Sequence, residues 1–186
     1  EQIQTHPTVN PDTSDMYTEG VRGNGAILVN NEGQRFVNEM ETRDVVSEAI
    51  LAQPGGTCWL VFDQQVRESL AAIETYISKG IIEEADTVEE LAAKIGADPA
   101  TLQATFDTYN GYVKDKEDKE FGRIDTTTGC DLHQPQLNAA EGPHAIHHTM
   151  GRVTSHTRPQ VLRPDGTPRP RRNRSGGVRG GVRRPH

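Results

Sequence analysis

The chain has 186 residues, which suits one domain or one domain plus part of another. With 33% hydrophobic residues and a mean hydropathy of -0.70 it can build only a modest core. It shows no apolar run long enough for a membrane-spanning helix and no basic-then-apolar signal segment. The net charge of -7 hides a split: residues 1–151 carry 10 Lys and Arg against 26 Asp and Glu, whereas residues 152–186 carry 10 Arg against the single acid Asp165.

Near the N-terminus, "DMYTEGVRGNG" places Thr18, Glu19 and Arg22 on one face of a helical turn. Glycines then release the chain into an apolar strand. "GAILVNNEGQRFVNE" predicts a β-hairpin, with arms Ala26–Val29 and Arg35–Asn38 and turn chemistry at Asn30, Asn31 and Gly33. A helix follows from about Asp44 to Ala52, stopped by Pro54-Gly55-Gly56. Thr57–Asp63 reads as a buried strand, with Cys58 a small buried residue in it. Asp63 opens a helix to about Ser78, whose apolar face is Val66, Leu70, Ile73 and Ile77.

Thr87 and Glu90 form a capping-box pattern, and Gly96 ends the helix that follows. Asp98-Pro99 supplies an N-cap and an N1 proline for a helix buried through Leu102, Phe106, Tyr109 and Val113. "KDKEDKEFGR" reads as a solvated charged loop. From Thr126 neither helical nor strand period is clear, and from Pro164 the low-complexity sequence predicts no stable structure. The fold class expected is α+β: strands with helices packed on them and a disordered basic tail.

Three clusters carry potential chemistry: His6-Pro7-Thr8 with Met16, Thr18, Glu19 and Arg22; Glu39, Glu41, Arg43 and Asp44; and His147-His148-Thr149-Met150-Gly151. Singly, each has an ordinary structural reading. An i,i+3 Glu-Arg pair is usually a weak surface ion pair. Cys130, His133, His144 and His148 also give a loosely zinc-like spacing, although structural zinc sites usually recruit more thiolates. No GxGxxG follows a strand, so the chain carries no dinucleotide fingerprint of its own.

Together, "THPT…MxTExxRGNGAILVNxxGxRFxNE…TRD…HHTMG" resembles the soluble flavoprotein fumarate reductases of the flavocytochrome c type. The likeness runs from residue 1 to about 125 and returns at His147–Gly151. It implies a capping (clamp) domain over residues 1–147, a return toward an FAD-binding domain over 148–163, and an aberrant tail over 164–186. It implies FAD as cofactor, held mainly by segments outside this chain, and fumarate or a related dicarboxylate as substrate. Arg43 would donate the proton, and Glu19 and Arg22 would relay protons to it. His6, Thr18 and His147 would hold substrate carboxylates, Met16 would pack against substrate and flavin, and His148 would lie beside the isoalloxazine. Another enoate such as urocanate is the alternative substrate, and a non-catalytic binding domain is the alternative class. The resemblance leaves the electron donor and the compartment open.

Two departures from the family pattern stand out. Arg152 replaces a glycine after "HHTMG", and the run after "VLRPDGTP" becomes "RPRRNRSGGVRGGVRRPH". An Arg/Gly/Pro-rich run without lysine suggests GC-rich DNA read out of frame, so a frameshift is expected near Pro168. A nucleic-acid-binding tail ranks lower, because the run lacks interleaved aromatics.

Overall fold

The computed structural model describes residues 3–123, 131–132, 135–143, 145–149, 160–163, 165 and 167–173. The chain divides into two compact units, one spanning His6–Ala145 and the other Glu1–Thr5 with Ile146–His186.

In chain order the elements are β1 (Ile3–His6), α1 (Glu19–Gly23), β2 (Ile27–Val29), α2 (Arg43–Leu51), β3 (Trp59–Phe62), α3 (Gln64–Ser69), α4 (Ala71–Ser78), β4 (Glu83–Ala85), α5 (Val88–Ile95), α6 (Pro99–Asp115), β5 (Leu137–Glu141), β6 (Ala145–Thr149), β7 (Gln160–Leu162) and β8 (Pro168–Asn173). The larger unit is built on a four-stranded sheet of order β2-β3-β5-β4. All its pairings are antiparallel, with Leu28 opposite Leu60, Leu60 opposite Ala140, and Ala85 opposite Leu137. Consecutive residues of β2, β3 and β5 are buried, so these three strands are covered on both faces and show no alternation, whereas edge strand β4 exposes Glu83 and Glu84. One contiguous core joins these strands to Val46 and Ile50 of α2, Leu91 and Ile95 of α5, and Leu102 and Phe106 of α6. Mixed helix and sheet is thus the observed class.

Local chemistry sets most helix ends. Asp63 accepts from Val66 N at 2.9 Å, Thr87 from Glu90 N at 3.2 Å, and Asp98 from Thr101 N at 2.8 Å, each satisfying an otherwise orphaned donor. Gly96 closes α5 at φ 76°, a conformation that favours glycine. The capping box is only half formed, because Glu90 accepts from Asp86 N rather than Thr87 N.

Several expectations need correction. The hairpin after Gly25 shrinks to one bridge, Val29 to Arg35; before it, Leu28 N donates to the Glu39 side chain rather than to a partner strand. The helix expected to run unbroken to Ser78 breaks at Leu70, whose backbone is extended at φ -138° and ψ 102°. Leu70 packs over α1, with a methyl 3.3 Å from where a Cβ at Gly20 would stand. The aperiodic region after Thr126 contributes β5, an interior strand of the sheet. The "KDKEDKEFGR" loop is not simply solvated: Asp118 and Arg123 are buried. Cys58 is buried as expected, and its thiol donates to Gly142 O.

In the smaller unit β1 pairs with β6, and β7 pairs with β8. Asp165 forms the β7–β8 turn by accepting from Thr167 N at 2.9 Å. The expectation of no structure from Pro164 therefore fails over Pro168–Asn173. The rest of the Arg/Gly-rich run lies outside the described residues.

Candidate active site

The segment leading into α1 is clasped from two sides. Val9 bridges Met16, and Asn10 Oδ1 accepts from Asp12 N and Thr13 N, folding the intervening loop. Tyr76 of α4 donates to Met16 O at 3.1 Å and accepts from Thr18 N at 3.2 Å. Its ring meets buried Tyr17 edge-on, centroids 5.2 Å apart, and burial pushes the Tyr17 phenol up to about 12. Thr18 caps α1 by accepting from Gly20 N. Of the two glycines after Arg22, Gly23 stays helical. Gly25, at φ 127°, makes the turn into β2 that a side chain would resist.

This fixed turn presents Glu19 to two arginines. Arg43, the first residue of α2, donates Nε to Glu19 Oε1 at 2.5 Å and Nη2 to Oε2 at 2.9 Å, a bidentate pair. Arg22 Nη2 reaches Oε1 at 3.4 Å. Burial grades along this line: the Arg22 side chain is 5% exposed, Arg43 31% and Glu19 42%. Burial depresses the Arg22 guanidinium, and the Glu19 hydrogen bond raises that of Arg43. The same bond holds the Glu19 carboxyl below its usual range.

His6 is 4% exposed. Its Nδ1 lies 3.1 Å from Thr8 O and 3.3 Å from Thr8 N, so one tautomer donates and the other accepts. Burial lowers its pKa, and the positive charges of Arg22 and Arg43 lower it further. His6 thus stands in the electrostatic field of the Glu19–Arg22–Arg43 cluster. Met16, 45% exposed, offers an uncovered apolar side chain two residues before Thr18.

Arg22 is held by a buried ionic network that sequence reasoning missed. Its Nη1 donates to Glu39 O at 2.7 Å. The Glu39 carboxylate accepts from Arg35 Nε at 2.7 Å, Arg123 Nη1 at 3.1 Å and Leu28 N at 3.2 Å. Arg123 also donates to Arg22 O at 2.9 Å and Ala26 O at 3.0 Å. Arg35 pairs with Asp118 at 2.8 Å and lies over the rings of Tyr109 and Phe121. Two cations thus meet two anions, as burial requires. The Arg35–Glu39 spacing of four was the one signal available; Arg123 gave none.

Asp44, in the first turn of α2, takes the ordinary role of an acid at a helix N-terminus. His147 and His148 lie on β6. Cys130, His133 and His144 of the zinc-like spacing, with Met150 and Gly151, lie outside the described residues.

A cavity of about 190 Å³ is lined by Glu19, Arg22, Gly23, Glu39, Met40 and Glu41. A larger one of about 390 Å³ lies against Arg35, Thr101, Thr105, Thr108 and Glu120 and contains none of the predicted site residues.

A turn presenting a carboxylate to two guanidiniums, with a neutral-leaning histidine in their field, suits an anionic substrate and proton transfer. Residues 1–170 match the FAD binding domain family. The chain belongs to that family, and FAD is the cofactor the membership assigns. It is 43% identical over 181 residues to the NADH:fumarate oxidoreductase of Klebsiella pneumoniae, covering 97% of this chain and 20% of that protein. It is 42% identical over 180 residues to a fumarate reductase (cytochrome) of Shewanella frigidimarina, covering 97% and 31%. The open conformation of a flavocytochrome c3 fumarate reductase superposes with a TM-score of 0.85 at 39% identity, over 97% of this chain and 32% of that one. The chain therefore spans a fifth to a third of these relatives. Among the described residues, no helix is long and apolar enough to cross a membrane.

The residues present fit the reacting end of a flavin rather than its dinucleotide tail. Exposed Met16 offers an apolar surface beside the polar cluster, whereas the chain has no GxGxxG loop for a pyrophosphate.

Proposed function

We propose that this chain is the capping (clamp) part of an FAD-dependent fumarate reductase and carries the proton-donating half of its active site. The observation that carries the reading is that Glu19 bonds Arg43 through both oxygens while also reaching buried Arg22. Reduced FAD, when bound, supplies the hydride. Arg43 gives its proton to the other alkene carbon. Free arginine is too weak an acid for this, with a pKa above about 12, unless it is reprotonated at once. Glu19 is placed to pass it a proton from Arg22. The opposed shifts favour that direction, since burial makes Arg22 the stronger acid and Glu19 makes Arg43 the stronger base.

His6, Thr18 and His147 hold the substrate carboxylates. Met16 covers substrate and flavin, and His148 lies beside the flavin ring. The capping part spans residues 1–147, residues 148–163 begin the return to the FAD-binding domain, and residues 164–186 are the aberrant tail. Turnover needs FAD-binding segments besides residues 1–186, so these residues assayed by themselves are inactive.

The test is Arg43→Ala in a full-length flavoprotein carrying this segment, assayed with fumarate and, separately, urocanate. Turnover should nearly vanish while the flavin spectrum is retained. Near-normal fumarate reduction by the variant would refute the role of Arg43. Reduction of urocanate in preference to fumarate by the parent would overturn the substrate assignment.

A further inference from the structure

The cavity of about 190 Å³ touches Glu19 and Arg22 but not Arg43. It therefore meets the proposed relay at Glu19, its middle member, and at Arg22, the member remote from the substrate proton donor. Its rim is the turn after Asn38, closed by Met40 N donating to Asn38 Oδ1 at 2.9 Å and Glu41 N donating to Asn38 O at 3.2 Å. Arg22 ties this turn to α1 through Glu39 O. Glu41 is exposed, so one carboxylate of the lining stands in bulk solvent. Arg22 Nε is buried with no hydrogen-bond partner among the described residues. A space of this size admits several waters, each needing only about 10–15 Å³ of such volume.

We infer that this cavity is the proton intake of the relay: Glu41 collects protons from solvent and water in the cavity hands them to Arg22. The inference rests on the proposed relay. One proton enters for each alkene reduced and ends on the substrate carbon. The electron pair arrives with the hydride, so no other reactant is needed. The path begins when Arg22, having given its proton through Glu19 to Arg43, is left neutral. A water in the cavity protonates it, and Glu41 restores that water. The Glu39 carboxylate takes no part, because both oxygens are committed to Arg35, Arg123 and Leu28.

Two substitutions test this without touching a relay group. Glu41→Gln keeps the shape of the rim and removes its proton carrier. Gly23→Leu fills the cavity; a Cβ there meets no heavy atom within 4 Å, and Gly23 is helical, so the backbone accommodates it. Both are made in the full-length flavoprotein beside Arg43→Ala. The readouts are kcat, KM for fumarate, the solvent deuterium isotope effect, the pH profile and the flavin spectrum. Expected are a fall in kcat of about tenfold or more in each, little change in KM, and a larger isotope effect as proton supply becomes limiting. Small acidic buffers should restore the Glu41→Gln rate. Parental kcat and isotope effect in both variants, with Arg43→Ala inactive, would overturn the intake and leave the relay standing. An active Arg43→Ala would instead sink the relay itself.

Discussion

Glu19 holds Arg43 by two hydrogen bonds, 2.5 and 2.9 Å long, although the two side chains are separated by 24 positions and both reach solvent. An exposed ion pair of this kind contributes at most about 1 kcal/mol to stability. Its geometry matters more for the proton it can carry. Glu19→Gln should therefore leave the melting temperature almost unchanged, while kcat for fumarate falls by about 10²–10⁴. A steady-state assay beside a thermal melt decides it. A variant that melts early but turns over normally would make the pair structural.

The buried network should behave in the opposite way. Glu39 sits between Arg35 and Arg123 with no solvent to replace it. Glu39→Ala would leave Arg35 with Asp118 as its only carboxylate and Arg123 with backbone carbonyls alone, and removing one partner of a buried pair costs about 3–5 kcal/mol. Denaturant unfolding should show a loss of that order. A loss below about 1 kcal/mol would mean that solvent reaches the arginines.

His6 carries a pH signature. Its pKa lies below 6.5, through burial and the nearby Arg22 and Arg43 charges. The folded state therefore binds this proton less readily than the unfolded one. The stability linked to His6 is present above the unfolded pKa of 6.5 and is lost as pH falls through the folded value. An NMR titration of the ring should give a midpoint under 6.5, and His6→Asn should flatten the acid limb of the stability curve. A midpoint at or above 6.5 would contradict the burial argument.

Gly33 offers a backbone test. Its φ is 84°, and a Cβ there would lie 3.2 Å from the backbone nitrogen of Leu102. Gly33→Ala should destabilise by about 1–3 kcal/mol, read by thermal melting. A neutral result would show that α6 yields to the methyl group.

Features governed by neighbours in sequence were the legible ones. Asp63, Thr87, Asp98 and Gly96 bound helices through contacts three or four residues away, so the residue types sufficed. β5 was not legible: "LNAAE" has no β-branched or aromatic residue, and its alanines are strand because β3 and β4 flank them. Asp118 and Arg123 looked solvated because their partners, Arg35 and Glu39, are 83 and 84 positions away. The site divided similarly. Glu19 and Arg22 share a turn, but nothing local joined Arg43 to them; only the family resemblance did. His6 proved buried and within their electrostatic field.

Arg123 donates to Arg22 O, Ala26 O and Glu39 at once, bonds that span 84 to 101 positions. The turn carrying Glu19 therefore cannot mature during synthesis until residue 123 has left the ribosome. Until then Glu39 lacks one of its two guanidinium partners. Ordering of this kind, in which distant contacts must form before local ones are secured, slows folding. Nascent chains halted while residue 123 is still inside the ribosome should be held longer by chaperones than chains halted after it has emerged.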